Sequence, residues 1–245
     1  MNIQPVVEVR NLTKRIRNRN IVDQIHFDLF PGEVFGFLGP NGAGKTTTIR
    51  MMVGLISMSD GDVAINGHSI RGSFQEAIRH VGAIIENPEL YRHLTGMQNL
   101  KQFARMANGI PQSRIDQIVQ LVGLSARIHD KVKTYSLGMR QRLGIAQALL
   151  HAPAVLILDE PTNGLDPAGI REMRQLVRKL AAEEGIAVMV SSHLLAEMEQ
   201  MCDRFGVVID GRLRTTFALA DLQNQSETQT LEEKYIQLTE VVSYA

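Results

Sequence analysis

The tightest constraint in this chain is the run Gly39-Pro40-Asn41-Gly42-Ala43-Gly44-Lys45-Thr46, which follows directly on Val34-Phe35-Gly36-Phe37-Leu38. The apolar run reads as a buried strand, and Lys45 to about Leu55 reads as a helix. The pattern G-x-x-x-x-G-K-[ST] between a strand and a helix makes a phosphate cradle. Glycines let the backbone turn successive N–H groups inward as an anion nest, and the helix adds its positive end at the same point. Gly39, Pro40, Asn41, Gly42, Ala43, Gly44, Lys45, Thr46 and Thr47 are therefore the candidate nucleotide contacts. Lys45 would reach the β/γ-phosphates, and the Thr46 hydroxyl would bind Mg²⁺.

A second element complements the cradle. Val155-Leu156-Ile157-Leu158 is another buried strand, and it ends in Asp159-Glu160. A carboxylate emerging at a strand's C-terminal end can hold the Mg²⁺ shell, which assigns Asp159 to the metal. Glu160 then stands where it can orient and deprotonate an attacking water. The two elements converge on one reaction, phosphoryl transfer from ATP to water.

The rest of the chain alternates strands with helices. Val6–Val9, Ile25–Leu29, Gly61–Ile65, Ile78–Ile85, Ala187–Ser191 and Arg204–Ile209 read as strands, with turns at Pro31-Gly32 and Gly211. Gly169–Glu183 and His193–Cys202 read as helices. From Thr95 to Leu149 the period is helical, broken at Gly109-Ile110-Pro111 and at Gly123. The expectation is an α/β fold: a mainly parallel sheet, an antiparallel β portion near the N-terminus, and a helical subdomain inserted at about 88–150. One nucleotide-binding domain over 1–223 would be followed by a polar linker, Asn224 to Thr230, and a terminal helix, Leu231 to Val242.

Composition limits the partners. Lys plus Arg and Asp plus Glu number 26 each, so the overall field draws in neither nucleic acid nor anionic lipid. No window approaches the roughly 18 consecutive apolar residues of a spanning helix, so a soluble chain is expected and any membrane role is borrowed from a partner. The single cysteine, Cys202, fits a reducing compartment.

Further motifs choose among nucleotide hydrolases. Tyr135-Ser136-Leu137-Gly138-Met139-Arg140-Gln141-Arg142 resembles the ABC signature sequence, with Leu137 and Met139 in two of its usual glycine and polar places. Asn163-Gly164-Leu165-Asp166 resembles the D-loop, and Ser192-His193 resembles the switch histidine. Together these motifs resemble the ATP-binding subunits of ABC transporters over nearly the whole chain. The resemblance implies a head-to-tail dimer, homodimeric or heterodimeric, with ATP between one chain's phosphate cradle and Ser136 and Gly138 of the other. It places His193 on the γ-phosphate, beside Lys45 and Glu160 in the catalytic set. It also implies a separate transmembrane permease, met through the loop Glu86–Leu94 and the helices that follow it, and a position on the cytoplasmic face of the membrane.

Two departures narrow the resemblance. Where most relatives carry a metal-contacting Gln, Ala83-Ile84-Ile85-Glu86-Asn87-Pro88 supplies Glu86, still an oxygen ligand for Mg²⁺ but with an added charge. Glu86, Leu137, Met139 and the tail Leu231–Thr239 resemble the bacitracin-resistance and lantibiotic-immunity branch, which implies export of a peptide antibiotic. Near position 16 relatives carry an aromatic ring for adenine; Thr13-Lys14-Arg15-Ile16-Arg17 offers either a guanidinium from Arg15 or Arg17, or apolar contact from Ile16. Two other classes remain: an ABC ATPase without a transport partner, and a regulatory module that holds ATP without turnover.

Overall fold

A computed structural model describes residues 3–107, 109–225 and 230–243. Among these, the strands form two sheets. The first is antiparallel, in the order β2 (Arg19–Leu29), β1 (Val7–Ile16), β4 (Asp60–Ile65), β5 (His68–Ser69). The second runs β10 (Arg212–Ala218), β9 (Arg204–Ile209), β3 (Val34–Leu38), β8 (Ala187–Ser192), β7 (Val155–Asp159), β6 (Val81–Ile84). Its pairings are parallel from β9 to β6, and β10 is antiparallel to β9. The expected α/β architecture with an N-terminal antiparallel portion is thus observed.

The unbroken apolar strands have a packing reason. Alternate residues of a strand face opposite sides of its sheet, so a sheet covered on both faces needs apolar residues throughout. In β7, Val155 and Ile157 join the core shared with the antiparallel sheet. Leu156 and Leu158 join the core formed with the helices. Between the sheets Phe27 stacks on Phe35, ring centroids 5.3 Å apart. The first core also buries Ile49, Met51 and Met52 of helix α1 (Lys45–Met52), which fixes the axis of the helix that follows the phosphate loop.

Between β6 and β7 the chain forms α3 (Gly96–Met106), α4 (Gln112–Leu121), a single 3₁₀ turn (Val132–Thr134) and α5 (Leu137–Leu149). Thr95 starts α3 with a reciprocal capping box: its side chain accepts from the Gln98 amide, while the Gln98 side chain accepts from the Thr95 amide. Ser136 caps α5 by accepting from the Met139 amide. After β7 come α6 (Pro167–Ala182), capped by Asp166 with Pro167 in its first turn, and the short α7 (Leu195–Glu199).

Several local expectations shift. The expected strand Ile78–Ile85 is the end of a short helix, α2 (Phe74–Ile78), followed by β6, since Ser73 to Ala77 carry the polar spacing of a turn of helix. The helix expected from His193 to Cys202 spans only α7. Strand β10 and helix α8 (Leu219–Gln225) were not expected. Asp210 and Gly211 both have positive φ, 50° and 76°, the geometry of a tight two-residue hairpin turn. Asn224 and Gln225 of the expected linker belong to α8, and residues 226–229 lie outside the described residues. The terminal helix, α9 (Leu231–Ser243), docks on the body: Leu231 is buried, and Lys234 lies over the Phe217 ring at 4.3 Å.

Gly82 marks how closely β6 and α5 approach. A Cβ at Gly82 would stand 2.6 Å from the Ala148 carbonyl oxygen, whereas one at Gly72 would meet only the Ser69 side chain, at 3.5 Å. Gly82→Ala should cost about 1–3 kcal/mol. Gly72→Ala should stay within about 0.5 kcal/mol. Thermal unfolding followed by circular dichroism separates them, at about 2–4 °C per kcal/mol for a chain of this size.

Candidate functional site

The phosphate loop runs from the end of β3 to the start of α1, and its shape depends on missing side chains. A Cβ at Gly39 would sit 2.4 Å from the Val208 carbonyl oxygen. Gly44 caps α1 at φ 101°, a left-handed conformation that a side chain resists. The first turn of α1 carries no acidic residue, and the first amides of any helix lack intrahelical acceptors. The N-terminus of α1 therefore presents Lys45, Thr46 and Thr47 to an anion without competition from a carboxylate of its own first turn.

Lys45 lies almost wholly inside the loop it follows. Its Nζ donates to the carbonyls of Gly39 at 2.7 Å and Pro40 at 3.3 Å, and stands 3.7 Å from Glu160 Oε1. Three oxygens thus hold one ammonium at the floor of the cleft.

Opposite, at the ends of β7 and β8, a hydrogen-bond chain fixes the carboxylates. Asp159 is buried, and each of its oxygens accepts a hydrogen bond: Oδ2 from Thr46 Oγ1 at 2.9 Å, Oδ1 from Ser191 Oγ at 2.5 Å. Since the Thr46 hydroxyl proton is committed to Asp159, its lone pairs are what Thr46 offers to the cleft. A hydroxyl oxygen backed by a carboxylate is the hard-oxygen donor chemistry that suits Mg²⁺. Ser191 also accepts from the Glu160 amide, at 3.0 Å. The sequence reading missed Ser191; its signal was its place beside Ser192-His193 on a strand whose parallel register sets it opposite Asp159.

Glu160 leaves β7 at φ 51°, a conformation a non-glycine residue adopts at a cost of order 1–3 kcal/mol. That turn aims its carboxylate into the cleft, where His193 Nδ1 donates to Oε2 at 2.9 Å. The cleft is lined by Ile21, Asn41, Gly42, Gly44, Lys45, Thr46, Thr47, Glu160, Asn163 and His193. Of the loop residues expected at the phosphates, Asn41, Gly42, Gly44, Lys45, Thr46 and Thr47 line this cleft, and Gly39, Pro40 and Ala43 do not. Ile21, an apolar residue of β2, gave no signal in the sequence. Arg15 is held by Asn20 Oδ1 at 3.1 Å, and neither it nor Ile16 lines the cleft.

Ser136 and Gly138 stand apart. They line a second concavity with Leu137, Met139, Gly164, Leu165 and Asp166. One loop connects the two places: Glu160 and Asn163 face the first cleft, Gly164 to Asp166 the second. Glu86 also lies outside the cleft lining, with its Oε1 2.5 Å from Arg50 Nη2.

Comparison with known proteins bears directly on this arrangement. Residues 22–163 match the family model described as "ABC transporter". The chain is 63% identical over 222 residues to "Uncharacterized ABC transporter ATP-binding protein YhcH" of Bacillus subtilis (strain 168), covering 91% of this chain and 71% of that protein. It is 45% identical over 208 residues to "Bacitracin transport ATP-binding protein BcrA" of Bacillus licheniformis, covering 85% and 68%. Among solved structures, "Structure of ATP binding subunit of ABC transporter" superposes with a TM-score of 0.83 at 31% identity, covering 96% of this chain and 99% of that one.

Ser191 gives the test of the carboxylate arrangement. Ser191→Ala leaves buried Asp159 Oδ1 without its donor and the Glu160 amide without its side-chain acceptor. It should destabilise the chain by about 1–3 kcal/mol in urea unfolding. A change below about 0.3 kcal/mol would show that water replaces the hydroxyl freely.

Proposed function

The chain belongs to the ABC transporter family as an ATP-binding, ATP-hydrolysing subunit, and we propose that it powers a separate permease with the residues gathered in the cleft. The observation that carries this reading is the convergence of Lys45, Thr46, Glu160 and His193 on one concavity, with buried Asp159 bonded to Thr46 behind it. The Gly39–Thr47 backbone and the N-terminus of α1 receive the phosphates. Lys45 exchanges its loop carbonyls and Glu160 for the β- and γ-phosphate oxygens. This exchange frees Glu160 at the same moment as the substrate arrives.

Thr46 and Asp159 would hold Mg²⁺, together with Glu86 once its side chain turns inward. When bound, the ion neutralises charge on the β- and γ-oxygens. Asp159 keeps the Thr46 lone pairs directed at the cleft, and Ser191 keeps Asp159 in place. Glu160 takes the proton of the attacking water on its carboxylate. His193, already hydrogen-bonded to Glu160, orients that carboxylate and would reach the γ-phosphate.

Ser136 and Gly138 complete the site in trans. They lie on a separate face, and the loop Glu160–Asp166 spans both faces. Two chains packed head to tail set each Ser136–Gly138 element over the partner's phosphate loop. The dimer closes on ATP and reopens after hydrolysis, which drives the permease between its states.

The permease meets a groove of about 410 Å³ lined by Ala83, Pro88, Phe103, Met106, Gly144 and Gln147. Met106 there is 76% exposed, and the Gln147 side-chain oxygen is buried without a partner. Among the described residues no helix is long and apolar enough to cross a membrane; in this reading the permease supplies the membrane path. The chain then works at the cytoplasmic face. Similarity to the bacitracin transport protein supports export of a peptide antibiotic as the task.

The test is Mg²⁺-dependent ATP turnover by the chain together with its membrane partner, with Glu160→Gln alongside. Turnover should fall by about 10²–10⁴ in the variant while ATP remains bound. ATP binding without turnover in both proteins would overturn the hydrolytic reading.

A further inference from the structure

Glu86 occupies an unusual position. In the parallel pairing of β6 with β7, Ile84 stands opposite Leu158. One step further, that register sets Ile85 level with Asp159; Glu86 and Glu160 then both leave their strands at positive φ, 67° and 51°. Adjacent strands lie about 4.8 Å apart, so the chain leaves β6 toward Glu86 beside the strand end that carries Asp159. Its side chain nevertheless does not enter the cleft. Glu86 has φ 67°, and its carboxylate is paired with Arg50 at 2.5 Å.

Arg50 lies on α1, the helix that begins at the phosphate loop. Residues four apart share a face of a helix, so Arg50 is stacked one turn beyond Thr46 on the side that meets Asp159. One helical face therefore carries both the hydroxyl that touches Asp159 and the guanidinium that holds Glu86. The pair is solvent-accessible, with side chains 42% and 65% exposed, so it is a weak bond that a competing ligand can displace.

Charge explains why a cation belongs there. Asp159 and Glu160 already face a polyanionic substrate, and Glu86 brings a third carboxylate to the same strand ends. Arg50 returns the local charge to what a neutral side chain at position 86 would give. We propose that Arg50 is a positioning residue for the nucleotide site: it holds the Glu86 carboxylate outside the cleft and offsets its charge, and Glu86 turns toward the metal-bearing nucleotide only by giving up Arg50. Because Pro88, two residues on, is packed against Gly144 of α5, the exchange also reaches the segment that borders the groove beside β6. The inference rests on the nucleotide-site reading above.

The experiment is binding of a fluorescent ATP analogue to the full-length chain, titrated in EDTA and then against Mg²⁺. Arg50→Met should weaken metal-free binding roughly two- to fivefold and lower the Mg²⁺ concentration at half-maximal binding by a similar factor. Arg50→Lys, which keeps the charge, should restore both values most of the way. In a Glu86→Gln background, Arg50→Met should keep only the smaller effect of losing one exposed charge, less than half of each shift. Melting temperatures of all variants show that each is folded. Equal shifts with and without Glu86, or no shift in either background, overturn the proposal while leaving the nucleotide site intact. A wild-type chain that binds no analogue overturns the nucleotide reading as well.

Discussion

A buried carboxylate must have its charge met by donors, and Asp159 meets this demand from two different elements at once. Thr46 comes from the start of α1 and Ser191 from the end of β8, while Asp159 itself ends β7. The cost of leaving such a group unpaired makes this junction strongly directional. Three strand or helix ends are thereby fixed relative to one another within hydrogen-bond tolerance. The phosphate loop, Glu160 and His193 all hang from those three ends.

The surrounding cores make that junction possible. Helix α1 is clamped by Ile49, Met51 and Met52 within the core shared by both sheets, so its N-terminus cannot drift from the loop. β7 and β8 are apolar on both faces and buried between the two cores. A polar site thus sits at the C-terminal edge of a dry sheet, the place where open α/β sheets bind ligands. The positive φ at Glu160 is an unfavourable backbone choice that the packing overrides to aim one side chain.

The charged groups at and beside the cleft satisfy one another. Lys45 is held by Gly39, Pro40 and Glu160, His193 by Glu160, and Glu86 by Arg50. These polar contacts hold the side chains at the strand ends in one arrangement.

The sequence by itself determined the phosphate loop, because Gly39, Gly44, Lys45 and Thr46 act through backbone geometry and local spacing. It also determined the α/β order, since apolar runs such as Val155–Leu158 are legible wherever both faces of a sheet are covered. Contacts within one element or one turn can be read along the chain. The tertiary structure decided what depends on neighbours distant in sequence. Ser191 beside Asp159 follows from strand register, and Arg50 beside Glu86 from the approach of a helix to a strand end. The separation of Ser136 and Gly138 from the phosphate cleft follows from the path of the loop Glu160–Asp166. Hairpin β9–β10 and the docking of α9 likewise needed the folded body, because Arg212–Ala218 and Leu231–Ser243 are only partly apolar. Their place is set by the surfaces they cover, which no local pattern encodes.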